Sequence, residues 1–235
     1  MRLAAALAAL ACALPLRAHD LLSTEAVERH LRDAEKWRST ATAAAPPAQR
    51  AEALYRIGVM LDEVRELLNA DLAAHGKVQG LPSSYLIAEL SRLGMPLARA
   101  AAEGRFLANR HYFEEALKLA PGTALAADAG LRLLQAAFYE SFEQDPLDWR
   151  GDRRELAAQI ALAEGLLGRF PAHPEREELE FIAAILYTRA ARMSGRDAAA
   201  GYAAKARRAS ADFVARYPDS MRAAAISVLR EALPP

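Results

Sequence analysis

Leu119-Ala120-Pro121-Gly122, Arg169-Phe170-Pro171-Ala172 and Arg216-Tyr217-Pro218-Asp219 are three versions of one word, and the rest of the chain is organised around it. Each follows a run that reads as helix. Each proline ends that run, because it offers no N–H to the helical ladder and its ring clashes one turn back. Pro121, Pro171 and Pro218 lie 50 and 47 residues apart. Five residues before the prolines stand Ala116, Leu166 and Phe213; eight before them stand Phe113, Ala163 and Ser210. Positions three apart share a helical face, so these six are expected to pack against the preceding helix.

Outward from these words the chain reads as helices separated by Pro and Gly. Ser23 or Thr24 caps a helix to about Ser39, with Glu25 and Glu28 near its positive end. After Ala43-Ala44-Ala45-Pro46-Pro47, the residues Leu54, Ile57, Leu61, Val64, Leu68 and Leu72 form one apolar stripe at three- and four-residue steps. Asn69 to Gly80 is expected to fray into a loop. Pro82-Ser83-Ser84 opens a short helix to about Leu93, and Gly94 and Pro96 interrupt it. Leu97 to Leu119 is expected to be another long helix, weakened at Gly104. Leu131, Leu134, Phe138 and Phe142 mark the next stripe, before an irregular connection from Asp145 to Asp152. Helices are expected at about 153–170, 174–194, 197–217 and 220–233. No turn dipeptide flanked by alternating apolar residues occurs, which predicts essentially no strand. Serial helix–turn–helix units of this kind build an antiparallel bundle or a solenoid.

Tyr112-Phe113-Glu114-Glu115-Ala116-Leu117-Lys118-Leu119-Ala120-Pro121 resembles the second helix of a tetratricopeptide repeat. Ala206 to Ser220 is similar to the long-helix version found in periplasmic assembly proteins, of which the outer-membrane assembly lipoproteins of the barrel-assembly machinery are the best-known group. Ala53-Leu54-Tyr55-Arg56-Ile57-Gly58 fits a first helix. The resemblance covers about residues 48–233. It implies stacked helix pairs and a role in binding other polypeptides.

The 235 residues carry 30 Lys+Arg against 30 Asp+Glu, so no basic footprint for nucleic acid exists. With 53% hydrophobic and 26% charged residues the chain can bury a core. Alanine is abundant and β-branched residues are scarce, which favours helix. Met1-Arg2, an apolar run from Leu3 to Leu14, and Leu16-Arg17-Ala18 before His19-Asp20 form the layout of a secretory signal peptide over residues 1–18. The apolar run is too short to span a membrane, and no later segment is long enough. Cys12 is the one cysteine, so no intramolecular disulfide and no thiolate metal cluster is possible. Ala9-Leu10-Ala11-Cys12 loosely resembles a bacterial lipobox, in which the cysteine is lipidated and becomes residue one.

Chemistry-bearing motifs are sparse. None of the five histidines has a paired metal spacing; His111 and Glu115 share a helical turn, where a surface contact is the ordinary outcome. No phosphate loop, nucleophile elbow or haem motif occurs. Glu140-Ser141 has the wording of the acid in lytic transglycosylases, without their glycine-rich downstream segment. Trp149, Arg150, Arg153 and Arg154 gather an aromatic and three cations beside Asp152. One reading is a connection with a capping aspartate and a core tryptophan. The other is a partner contact, since Trp and Arg are enriched at interaction hot spots.

The expected protein is all-α: antiparallel helix pairs, about four, stacked as a short tetratricopeptide-like solenoid in a single domain over 19–235. Its expected role is an exported, non-catalytic scaffold or adaptor in the periplasm or at the outer membrane. It binds a protein or peptide, uses no cofactor or metal, and contacts neither nucleic acid nor the membrane interior. The candidate contact residues are Trp149, Arg150, Arg153 and Arg154. The alternatives are a lipid-anchored outer-membrane assembly subunit, with Cys12 lipidated, and, more remotely, a cell-wall glycosidase.

Overall fold

The computed structural model describes residues 23–78, 80–100, 104–141, 147, 151–231 and 233. The signal-peptide reading of 1–18, Cys12 and Phe142 lie outside the described residues. Nine helices are described: α1 (Thr24–Thr40), α2 (Pro47–His75), α3 (Leu81–Arg92), α4 (Arg110–Leu119), α5 (Ala124–Tyr139), α6 (Arg153–Arg169), α7 (Arg176–Met193), α8 (Arg196–Arg216) and α9 (Met221–Glu231). The chain is all-helical; among the described residues the one β-type pairing is an isolated bridge between Arg99 and Phe106. The contacts gather into two compact units that part within α5, between Leu133 and Leu134.

In the N-terminal unit α2 is the central element, packed by α1 and α4, while α3 packs on α1. Its stripe falls as read: Ile57, Leu61, Val64 and Leu68 are buried, and Leu54 and Leu72 are partly so. Phe113 of α4 is fully buried at Gly58, where a Cβ would stand 2.7 Å from its ring. The glycine therefore sits mid-helix because a ring occupies the place of its side chain. Tyr55 meets the same ring edge-on at 6.0 Å between centroids.

Two expectations fail in this unit for one reason. Helix α2 does not fray at Asn69; it continues to His75 and stops at Gly76, which takes a left-handed φ of 71°. Residues 97–100 and 104–109 are not helix, and α4 begins only at Arg110. The Asn69 amide donates to the Phe106 carbonyl at 2.9 Å and its oxygen accepts from the Phe106 N–H at 2.8 Å. That two-way clamp holds Phe106 extended and buries its ring. Around it the Leu107 N–H donates to Ala98 and the Ala100 N–H to Arg105, each at 2.9 Å. Gly104 takes a φ of 67°, which L residues resist. The side chain of Asn109 closes the excursion onto the Pro96 carbonyl at 3.3 Å. These contacts satisfy the backbone groups that a helix would otherwise have to pair.

In the C-terminal unit α7 is buried along most of its length and packs against α6, α8 and α9. Leu179, Phe181, Ile182, Ile185 and Leu186 are all buried, in a helix whose middle, from Phe181 to Leu186, is an unbroken apolar run. Phe213 of α8 lies 6.2 Å from Phe181 and 5.0 Å from Tyr217, centroid to centroid.

The three proline words close in one shape. Ala120, Phe170 and Tyr217, each just before its proline, have φ of −128°, −126° and −126° and ψ of 50°, 64° and 59°. Their N–H groups donate back to Ala116, Leu166 and Phe213, and their carbonyls accept from Thr123, His173 and Ser220. All six repeat positions are at most 1% exposed.

Candidate functional site: a groove between α1 and α3

Ser23 caps α1, its hydroxyl accepting from the Ala26 N–H at 3.1 Å. From there Thr24, Val27, Glu28, Leu31, Arg32 and Glu35 follow at three- and four-residue steps and present one face. Gly80, with φ of 86°, and Pro82 in the first turn start α3. Leu81, Pro82, Ser84 and Tyr85 then line the opposite side of an open groove of about 800 Å³. Its surface is mostly apolar, and Leu81 is 86% and Tyr85 56% exposed. Such large side chains in water are a cost that burial against a partner removes, about 25 cal/mol per Å² of apolar area. Val27, Leu86 and Leu90 are buried, so α1 and α3 rest on a packed layer.

The rim on α1 carries Glu28, Arg32 and Glu35. Arg32 stands 3.6 Å from Glu28, with both side chains mainly in water, a pair worth at most about 1 kcal/mol. Arg92 of α3 is engaged by Glu89 at 2.7 Å. On the buried face of α1, between Val27 and Ala34, lies His30. It is 2% exposed and its Nε2 has no hydrogen-bond partner among the described residues. Burial, then the nearby Arg29 charge, hold its pKa below the ordinary 6.5, with Asp33 opposing.

Of the contact residues expected from sequence, Trp149 and Arg150 lie outside the described residues. Arg153 and Arg154 are exposed in the first turn of α6. Asp152 caps that helix, its carboxylate accepting from the Glu155 N–H at 2.8 Å. The groove was not singled out from sequence. The available signal was Leu81-Pro82 opening a helix with Tyr85 one turn on, large apolar residues where a solvated face needs none.

The other chemical candidates are spent on structure. Glu115 pairs with Lys118 at 2.8 Å, which lowers its pKa, while His111 is exposed and stacks on Tyr112. Among the described residues no three His, Cys, Asp or Glu gather as metal ligands would. Ser141 is buried; its hydroxyl donates to the Phe138 carbonyl and accepts from Arg189 Nη1 at 3.0 Å. The fully buried Arg189 guanidinium lies 4.7 Å over the Phe138 ring. Three turns earlier on α7 Glu178, also buried, accepts from the Tyr139 hydroxyl at 2.7 Å and pairs with Arg222. Burial and the Glu178 charge push the Tyr139 hydroxyl well above its ordinary pKa. Ser220 and Arg222 hold Glu177, and Arg176 and Arg216 hold Glu180. These pairs tie α5, α7, α8 and α9 together.

Among the described residues no helix is long and apolar enough to cross a membrane. No family model, curated protein sequence or solved structure matches this chain.

Proposed function

We propose that this chain is an exported, non-catalytic scaffold that holds another polypeptide in the groove between α1 and α3. The observation that carries the reading is the exposure of Leu81 and Tyr85 across from Leu31, an apolar strip that water does not favour. Aromatic and aliphatic anchors of this kind seat an amphipathic helix or an extended tail. Glu28 and Glu35 on the rim favour a partner with Lys or Arg beside its apolar anchor. The N-terminal sequence supports export with cleavage after Ala18, and the repeated helix-ending turn supports antiparallel, tetratricopeptide-like pairs stacked as a solenoid. Arg153 and Arg154, with Trp149 and Arg150, form a second contact in this reading. The lipid-anchored alternative rests on Cys12 and is decided by the mass of the mature N-terminus: His19 free, or Cys12 acylated.

The test places a photo-reactive benzoyl-phenylalanine at Tyr85 in the native host. The expected result is one discrete cross-linked polypeptide, lost with Leu81→Asp while the helical circular-dichroism signal is unchanged. The same adduct from a probe at Arg208, whose side chain is 87% exposed on α8, or no adduct at all, overturns the reading.

A further inference from the structure

The wall of the groove formed by α1 is lightly held. Only Val27, His30 and Ala34 of this helix are buried, with Leu31 and Trp37 partly packed on the core, whereas α2 buries nine residues. One of the three anchors is thus an imidazole. Neutral, it fits an apolar contact as a flat ring. Protonated, it carries a charge and two N–H donors, and Nε2 meets no acceptor among the described residues. A buried, unpaired charge is costly, and the cost is relieved by reaching water. The short way to water is for α1 to lift from α2. Val27 belongs both to this buried face and to the groove, so the two events involve the same helix.

We infer that His30 makes the groove sensitive to acid: proton uptake by its buried ring releases α1 from α2 and removes one wall of the site. The inference rests on the reading of this groove as the place where a partner sits. Imidazole is the side chain whose charge changes between pH 5 and 8. The charges that act on it are Arg29, which opposes protonation, and Asp33, which favours it. From α2, Glu63 stands against Arg29 and Asp33; from α3, Arg92 acts on Glu35 while paired to Glu89. Glu63, which faces Arg29 and Asp33 of α1, has a carboxyl pKa raised by burial, so its protonation favours the closed state as pH falls and works against the His30 effect.

The sign follows from proton binding. The imidazole of a lifted α1 has the ordinary pKa of 6.5, above that of the packed form. The lifted state therefore binds more protons, and its population rises as pH falls below 6.5 until the packed form also titrates. A single proton gives at most about a tenfold rise per pH unit in that window.

The experiment combines a proton-detected titration of the His30 ring with hydrogen exchange of the mature chain at pH 7.5, 6.5 and 5.5, corrected for intrinsic rates. The expected result is that His30 titrates below 6.5 and that α1 amides lose protection by up to about tenfold per unit, while α7 amides change far less. His30→Leu should abolish the α1 response; His30→Gln, closer in polarity, serves if the leucine variant does not fold. A His30 titration at or above 6.5, or α1 and α7 amides responding alike, overturns the inference. So does a response that survives in the variant. The Tyr85 cross-link separates the two claims. An adduct that forms equally at pH 7.5 and 5.5 keeps the groove and removes its acid sensitivity. No adduct at either pH, with the exchange response intact, keeps the acid-released helix and removes the partner.

Discussion

Helices α4 and α8 end in the same turn and pack by different means. Both stop at a residue with φ near −127° that donates to the carbonyl four residues back, and both are followed by proline. In α8 the large residue of the word is Phe213, five before the proline, and Ser210 above it is small. In α4 the large residue is Phe113, eight before the proline, and Ala116 is small. The ring has moved one helical turn. In the C-terminal unit it meets other rings, Phe181 and Tyr217. In the N-terminal unit it meets the bare backbone of Gly58 and the edge of Tyr55. The proline word therefore sets where a helix stops and which face turns inward, whereas the surface it meets is chosen by residues far away in sequence. Packing density allows one large side chain per layer of such a contact, so the small member of each pair is as much a requirement as the large one.

The largest test of this comparison is truncation of both rings. Phe213→Ala and Phe113→Ala should each cost about 3–5 kcal/mol in a denaturant melt, since both are fully buried. Exchange protection should fall first in α7 and α8 for the former, and in α2 and α4 for the latter. A loss under about 1 kcal/mol at either site would break the equivalence of the two words.

A smaller effect separates local from distant control. Asn69→Ala should cost about 1–3 kcal/mol, because it orphans the N–H and carbonyl of Phe106, which lies 37 residues away in sequence. Amides from Ala98 to Leu107 should exchange faster, while those of α8 and α9 keep their protection. If the helix content rises instead, the clamp is what keeps this stretch from joining α4.

The smallest effect is the sharpest. Gly58→Ala should destabilise by about 1 kcal/mol, the overpacking against Phe113 exceeding the gain in helix propensity. With Phe113→Ala already present, the same change should stabilise by a similar amount, because the ring is gone and propensity alone remains. A change of the same sign in both backgrounds would mean that Gly58 is not the seat of Phe113.

The places where sequence reading succeeded and failed divide along the same line. Helix ends at Pro121, Pro171 and Pro218, the caps at Ser23 and Asp152, and the stripe from Ile57 to Leu68 each follow from residues within a turn or two. The long helix expected from Leu97 to Leu119 is absent at residues 97–100 and 104–109, although Ala and Leu favour helix there. A distant asparagine offered the Phe106 backbone a better set of partners, and propensity is a weak term beside two hydrogen bonds and a buried ring. The groove was equally hidden, since it depends on which side α3 leaves open, and Arg153 and Arg154 drew attention because charge is visible in sequence whereas concavity is not.

What the sequence determined by itself is therefore local: an all-helical chain, its breaks, its caps and its inward faces, because proline geometry, capping and helical periodicity act over one to four residues. Tertiary structure alone decided that Phe113 seats on Gly58, that Asn69 pairs with the Phe106 backbone 37 residues on, that His30 is sealed with no partner for Nε2 among the described residues, and that Leu81 and Tyr85 remain in water. Each of these depends on which surfaces meet, and burial energy is collected only when segments distant in the chain close on one another.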